Sequence, residues 1–452
     1  MNLNKEISLS KYNVTPRIVR AGESTEISIS ALGKGIRHDP IGVRLFGAGA
    51  GFYDTDEYTV TFIPMEMYDG TYVECDNVEF DSVKVYPKDG VITVKYTFYE
   101  EQEWILSVIS CDNAEKKRKP LEFHIYSLNE DLYSLNPFRG DLHMHSVGSD
   151  GGEDPVVLAA NYRKEGFDFI SLTDHRTRVP SEELVSAYEG VKCELKMFHG
   201  EEVHLRGNIH VVNFGSKYSV NELYKNDAEN IHASLVEEAS RTGTPKYVNA
   251  LEYCYRRWIY TQIKKAGGMT IIPHPFWVHS PGVYNMNVKM LEYVFKTGIF
   301  DAFELTGGQS VHENNIQTSF WQQLRSEGVN IPIVGSSDSH GTDPANYFGM
   351  SKTVLFAPDC EFDSIVSAIK GGYSVAIEEE YGEQPRVYGS FRLVKYVRFL
   401  LKYYFPGHDE LCVEEGILMR EYALGDSEAG ERLNSLFGRV ARYREHLLRG
   451  KS

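Results

Sequence analysis

Between Ser24 and Leu128 the apolar positions fall at alternate residues or in short β-branched clusters, in STEISISALG, EYTVTFIPM, DSVKVYPKDGVITVKYTFY, WILSVIS and LEFHIYSL, interrupted by Gly, Asp and Asn. A period of two sends successive side chains to opposite faces of a strand. Residues 1–135 are therefore predicted to form an all-β, sandwich-like domain. Lys88-Asp89-Gly90 and the stretch Cys111 to Pro120 read as hairpin connections. The second contains the basic run Lys116, Lys117, Arg118 and Lys119, which is either a solvated turn or a contact for a phosphate or partner.

Beyond Asn136 the pattern changes. Short apolar stretches stop at His, Asp or Glu, in FDFISLTDH, FHGEEVHL, IIPHP and IPIVGSSDSHG. Strands alternating with helices predict a parallel sheet, and the carboxyl ends of its strands are where such folds gather their sites. Residues 216–266 form an insertion with helical spacing. It is either a substrate lid, with Arg256 and Arg257 as anion contacts, or an outer helix with its arginines in solvent. From about Glu378 to Ser452 the chain is a helical segment. In it Leu393, Val394, Val397, Leu400, Leu401 and Tyr404 share a face opposite Arg392, Lys395, Arg398 and Lys402, and Pro406 closes the pattern. Such a helix packs on protein or lies on a membrane.

The segment GDLHMHSVGSDG, Gly140 to Gly151, concentrates the candidate chemistry. In an extended chain His143 and His145, at i and i+2, project to one side and can share a cation. An isolated H-x-H fits two surface histidines equally well. Five strand ends that carry only His, Asp and Glu fit neither a core nor a solvated loop. Asp338 and His340 repeat the i, i+2 spacing.

Taken in order, DLHMHS with SDG, then TDH, GEE, PHP and SDSH resemble the PHP family, named for its polymerase-associated and histidinol-phosphatase domains, over about residues 138–376. The resemblance implies a distorted (β/α)7 barrel, here residues 136–377, holding two or three divalent ions (zinc, manganese or iron). It also implies hydrolysis of phosphate esters through a metal-activated hydroxide. One ion would take His143, His145, Glu202 and Asp338, a second would share Glu202 with His274 and another histidine, and a third would take Asp150, His175 and His340. Alternation puts Glu202 and His204 on one face and Glu201 on the other. The remaining histidine is His204 on that face or His210, which opens HVVNF, and the resemblance favours His210. Asp150 alternatively caps the following helix. Asp141 and Asp174 precede ligand histidines and either orient an imidazole or face away.

Arg176 and Arg178 follow TDH, where a guanidinium fork would grip a second substrate anion, and Arg176 is the better placed. His279 and His312 lie just past strand ends and are candidates for a general acid or a substrate contact, or are simply solvated. The expected catalytic contributors are Arg176 and His279. A branch similar in carrying an amino-terminal β domain contains hydrolases of carbamate and other non-phosphate esters. Cleavage of a carbamate or carboxylic ester is therefore one alternative, and a binding or regulatory module is another.

Composition narrows the partners. Acidic residues number 64 against 47 basic, a net charge of −17. Polyanion binding needs a basic footprint, so the expected partner is a small phosphorylated metabolite or nucleotide, with no nucleic-acid polymer and no membrane. The six cysteines form no C-x-x-C pair, which argues against a thiolate zinc site and a disulfide framework and for reduced thiols in the cytoplasm. MNLNKEISLSKYNV lacks the apolar centre of a signal peptide, and no run reaches the ~18 apolar residues of a membrane span. No G-x-x-x-x-G-K loop supports ATP chemistry. A homo-oligomer is left open.

Overall fold

The computed structural model describes residues 12–31, 52–67, 80–111, 120–279, 282–380 and 382–451; the basic run Lys116–Lys119 lies outside them. The chain divides into two compact units. One comprises residues 1–134 with 399–404 and 439–452, the other residues 135–398 with 405–438.

The first unit contains β1 (Tyr12–Thr15), β2 (Ile18–Arg20), β3 (Ser24–Ala31), β4 (Tyr58–Pro64), β5 (Ser82–Val85), β6 (Val91–Thr97), β7 (Glu103–Ser110) and β8 (Leu121–Leu128). They make a three-stranded sheet, β1-β3-β6, and a five-stranded one, β2-β8-β7-β4-β5. Alternation does what the sequence predicts: along β4 every second residue is buried, beginning with Tyr58 and ending with Pro64. Val14, Ile27, Ile29, Ile92 and Val94 from the first sheet meet Val60, Phe62, Trp104, Leu106 and Ile125 from the second in one apolar core. Asp89 and Gly90 both have positive φ, and Lys88 and Val91 exchange two backbone hydrogen bonds of 3.0 Å, so the expected tight turn is present.

The second unit contains β9 (Asn136–Asp141), β10 (Phe169–Ser171), β11 (Lys196–Phe198), β12 (Gly200–Leu205), β13 (Ile209–Phe214), β14 (Met269–Ile272), β15 (Val278–His279), β16 (Val283–Tyr284), β17 (Ala302–Thr306), β18 (Ile333–Gly335), β19 (Ser351–Ala357), β20 (Ser374–Glu378) and β21 (Arg386–Tyr388). Two sheets dominate, β11-β10-β9-β19-β20-β21 and β12-β13-β14-β17-β18, beside the β15-β16 ribbon. Pairing is mixed rather than all parallel. β9 pairs parallel with β10 and antiparallel with β19, and β13 runs antiparallel to both β12 and β14. β9, β13, β14, β17, β19 and β20 are buried at every position, so both their faces are covered.

Residues 216–266 contain the helices Val220–Asn226, Ala228–Arg241 and Ala250–Lys265. Neither arginine is a free anion contact. Arg256 is 1% exposed and held by Glu252 at 2.9 Å, and Arg257 pairs with Glu238. Near the carboxy terminus Leu393, Val397, Leu400 and Tyr404 of the predicted apolar face are buried, whereas Val394 and Leu401 are half-buried. Tyr404 separates helix Phe391–Tyr403 from helix Phe405–Ala423, with Pro406 in the first turn of the second, where a missing N–H is harmless. No helix among the described residues is long and apolar enough to cross a membrane.

Candidate metal centre

Two isolated parallel bridges, Met144 to Ser339 and His175 to Glu202, set the register of the site. His145 N donates to Ser339 O and Asp338 N to His143 O, both at 2.8 Å. With Met144 and Ser339 buried, their neighbours His143, His145, Asp338 and His340 share the other side. Asp141 fixes this arrangement through the backbone: its carboxylate accepts from His143 N at 3.1 Å, Ser337 N at 3.0 Å and the Tyr162 hydroxyl at 3.1 Å. Asp174 does the same for the next loop, accepting from Ser146 N at 2.9 Å and from the hydroxyls of Ser146 and Ser149, each at 2.6 Å. Neither carboxylate orients an imidazole.

Glu202 lies at the hub, fully buried in β12 rather than at a strand end. Its Oε2 is 2.9 Å from His175 Nδ1, 3.3 Å from His143 Nε2 and 3.5 Å from His145 Nε2. Its Oε1 is 2.7 Å from His210 Nδ1 and 3.4 Å from His274 Nε2. Asp338 Oδ1 lies 2.9 Å from His145 Nε2 and 3.3 Å from His143 Nε2. Donors about 2.1 Å from a shared tetrahedral cation lie about 3.4 Å apart, the spacing that recurs here. Both Glu202 oxygens, His175 Nδ1 and His210 Nδ1 are nevertheless buried without an aligned hydrogen bond. Close approach without alignment suits lone pairs that converge on a common point between them. The donor set, mixed imidazole and carboxylate, fits divalent cations.

A second group gathers at the rim. Asp150 lies 3.4 Å from His340 Nε2, 3.6 Å from His175 Nε2 and 3.8 Å from His145 Nδ1. The cap of the following helix, Pro155–Lys164, is Asp154, whose side chain accepts from Val156 N and Val157 N, so Asp150 has no capping role. Gly151 lets this turn close: a Cβ there would lie 2.4 Å from His145 O.

His204 and His210 are not alternatives in space. They are register partners across the β12–β13 hairpin, with ring centroids 4.2 Å apart. His210 faces Glu202, whereas His204 Nε2 is 3.3 Å from Arg176 Nη2. Glu201 turns away from the centre, accepting from Val220 N at 2.6 Å and from the amides of Asn213 and Asn221, each at 2.9 Å.

Glu304, on β17, is absent from the sequence reading. Fully buried, it accepts from His143 Nδ1 at 2.8 Å and from His274 N at 3.2 Å. It thereby fixes the tautomer that leaves His143 Nε2 as the free donor. Its signal is one acid inside the buried run Ala302–Thr306.

Burial works against charge at His143, but Asp338, Glu202 and Glu304 outweigh it and raise its proton affinity well above the usual histidine value. Burial likewise opposes the Glu202 carboxylate, yet His210 and His143 hold it well below the ordinary range. His204 is pushed down to about 3 by burial and by positive charge at His210 and Arg176. Arg176, His274 and Asp338 all adopt left-handed φ, at 61°, 27° and 49°. That conformation is costly for non-glycine residues and concentrates at functional sites.

The other candidates lie outside the cluster. His279, on β15, is half-buried, with its ring 5.6 Å from that of Trp277, which is 5.7 Å from His274. Arg178 turns to His199 at 2.6 Å and to Glu182 at 3.5 Å. His312 is exposed at the start of helix Val311–Ser326.

No family model matches the chain. A 54-residue stretch is 39% identical to the DNA polymerase/3′-5′ exonuclease PolX of Bacillus subtilis, covering 12% of this chain and 10% of that protein. The chain thus matches about a tenth of that relative's length. A two-domain protein of Bacteroides vulgatus containing a predicted PHP-like metal-dependent phosphoesterase is similar at 19% identity and TM-score 0.39, over 54% of this chain and 66% of the other. A putative metal-dependent phosphoesterase of Bifidobacterium adolescentis aligns at 19% identity and TM-score 0.33, over 46% and 90%. Endonuclease Q, held on a 27-mer duplex with an abasic lesion at its active site, aligns at 16% and 0.33, over 52% and 57%. Superpositions of this quality assign no substrate.

A duplex-bound endonuclease among these similar proteins removes the ground for excluding a nucleic-acid polymer as a partner, and that expectation is corrected. The physical error lay in reading a global sum as a local field. The net charge of −17 counts the whole surface, whereas a polyanion responds to the potential at the place where it binds. In its ordered motifs, and in the shell of imidazole and carboxylate that they build, the chain resembles the PHP family.

Proposed function

We propose that this chain is a metal-dependent phosphoester hydrolase. The observation that carries the reading is the position of Glu202, with both oxygens within 3.5 Å of imidazole nitrogens from five histidines. A shared carboxylate allows neighbouring cations, and neighbouring cations suit a phosphoryl group with several charged oxygens. The proposed ligand sets are His143, His145, Glu202 and Asp338; Glu202, His210 and His274; and Asp150, His175 and His340, for two or three ions of zinc, manganese or iron. In this reading β9, β10, β12, β14, β17, β18 and β19 are the strands of the distorted (β/α)7 barrel, and the amino-terminal sheets are a sandwich.

When bound, divalent cations there would neutralise phosphoryl charge and acidify a water. The chain's own residues prepare that environment. Glu304 and the Asp141 network hold the imidazoles in place, and Glu202 and Asp338 supply the negative charge that lets cations accumulate in a buried pocket. His279, beyond Trp277, is the proposed proton donor to the leaving oxygen. The proposed substrate is a small phosphorylated metabolite or a nucleotide.

The test is elemental analysis of purified protein, followed by a panel of metabolite phosphates, nucleotides, intact and abasic duplex DNA, and carboxylic and carbamate esters. Phosphoester turnover that disappears with chelator and returns with metal is expected, and His279→Gln should lower it without changing metal content. Turnover confined to carboxylic or carbamate esters would replace this reading. Full metal loading with no turnover on any ester would favour a binding module.

A further inference from the structure

Four groups of side chains among the described residues are arranged to hold an ion, and they differ in charge. Three contain a carboxylate, Asp150, Glu202 or Asp338, but the fourth is His175, His204 and His210 alone. Two of its members already turn Nδ1 toward Glu202, at 2.9 Å and 2.7 Å, which leaves His204 as the odd one. The neighbour of His204 is a cation, with Arg176 Nη2 at 3.3 Å from its Nε2. A guanidinium in contact with a donor atom repels a dication. A guanidinium only donates hydrogen bonds, so Nε2 is the acceptor and the hydrogen of the neutral ring sits on Nδ1. That Nδ1 is buried and has no hydrogen-bond partner. Among the described residues the side-chain contact of Arg176 is His204 and not a carboxylate, in a chain whose net charge is −17. Its left-handed backbone, φ 61°, is tied by Arg176 N to Glu202 O at 3.1 Å, which fixes where the side chain leaves the metal centre.

An exposed guanidinium held at His204 Nε2 beside the metal centre, with most of its N–H groups uncommitted, lacks an oxyanion. We propose that Arg176 and His204 form an oxyanion subsite next to the metal centre and select phosphoesters that carry a second anionic group. This rests on the phosphoesterase reading. The second group is either the far phosphate of a small bisphosphate or the neighbouring phosphate of a nucleotide chain, which present the same chemistry.

Calorimetric titration of the metal-loaded protein distinguishes these. One series compares methylphosphonate with α,ω-bisphosphonates of increasing spacer length; the other compares thymidine 5′-monophosphate with 5′-phosphorylated dithymidylate. At least one doubly charged probe should bind roughly ten- to a hundredfold tighter than its singly charged counterpart, the range expected for hydrogen bonds to charged groups. Arg176→Gln and His204→Leu should collapse that ratio toward one with full metal content retained, and Arg176→Lys should restore part of it. A gain among the bisphosphonates assigns the small-molecule source, and a gain only in the dinucleotide pair assigns the nucleotide chain. No gain in either series, or a gain that survives Arg176→Gln, overturns the subsite. Loss of a metal ion in His204→Leu would also overturn it, by making His204 a ligand. Failure of methylphosphonate itself to bind would instead count against the phosphoesterase reading and remove the subsite with it.

Discussion

The core of the amino-terminal unit and the core around the metal centre treat polar residues in opposite ways. In β4 and its neighbours alternation expels them, and the shared core is apolar. In the second unit β9, β12, β13 and β17 are covered on both faces, so Asp141, Glu201, Glu202, His210 and Glu304 are buried with the aliphatic residues beside them. Each buried charge then needs a partner. All four candidate ion-holding groups among the described residues lie between His143 and His340. Apolar alternation makes a scaffold; two-sided burial makes charge expensive to leave unpaired, and so makes a cation welcome.

The sharpest break of that contrast is Glu202→Gln. Removing the one carboxylate shared by five imidazoles should empty most of the centre, read by elemental analysis after reconstitution. Retention of a full complement would mean that the histidines need no shared anion. Leu106→Ala, in the fully buried apolar core of the first unit, should do the reverse. It should cost ~2–5 kcal/mol of stability, seen as a lowered melt, with metal per folded chain unchanged; loss of metal would show that the two kinds of core are coupled.

Glu304→Gln tests a residue that touches ligands without being one. It should weaken metal affinity by roughly 10–100-fold with a smaller effect on the melt of the metal-free protein, and an affinity equal to wild type would reduce Glu304 to packing. A pH series sharpens the same point. His143, His175 and His274 have raised proton affinities. In the metal-free protein their contribution to stability is complete below their ordinary value of 6.5 and is lost as pH rises through the folded-state values. Metal must displace those protons, so its affinity should rise over the same interval, with proton release measurable in buffers of different ionisation heat. A metal-free melt that climbs with pH above 6.5 would contradict the pairing.

The smallest effect separates two neighbouring aspartates. Asp154→Ala should cost about 1 kcal/mol as a lost helix cap and leave metal untouched. Asp150→Ala should remove or weaken one ion and barely move the melt.

Legibility in the sequence followed this same divide. Alternation in STEISIS or TVTFIP reports burial directly, because one face of the strand is wet. Where both faces are covered, periodicity carries nothing, and the antiparallel partners of β9 and β13 are set by contacts distant in sequence. The H-x-H and D-S-H spacings showed which side chains share a side, because that is local geometry. Glu304 was missed because its partners, His143 and His274, lie 161 and 30 positions away. His204 and His210 read as rivals because alternation describes one strand, whereas the hairpin that places them face to face is a property of two. Net charge misled about nucleic acid for the same reason, a sum standing in for a location.

The bridge between Met144 and Ser339 also bears on which sequence changes the chain can tolerate. Four candidate ligands hang on that one pair, two on each side. Inserting or deleting a single residue between Asp141 and His145, or between Ser336 and His340, would exchange the side facing the centre for the side facing the core. Imidazoles would enter the apolar packing, and a methionine and a serine would replace them at the metal. Length should therefore be invariant in these two short stretches. Length changes in surface loops cost far less, and drift should be concentrated in them.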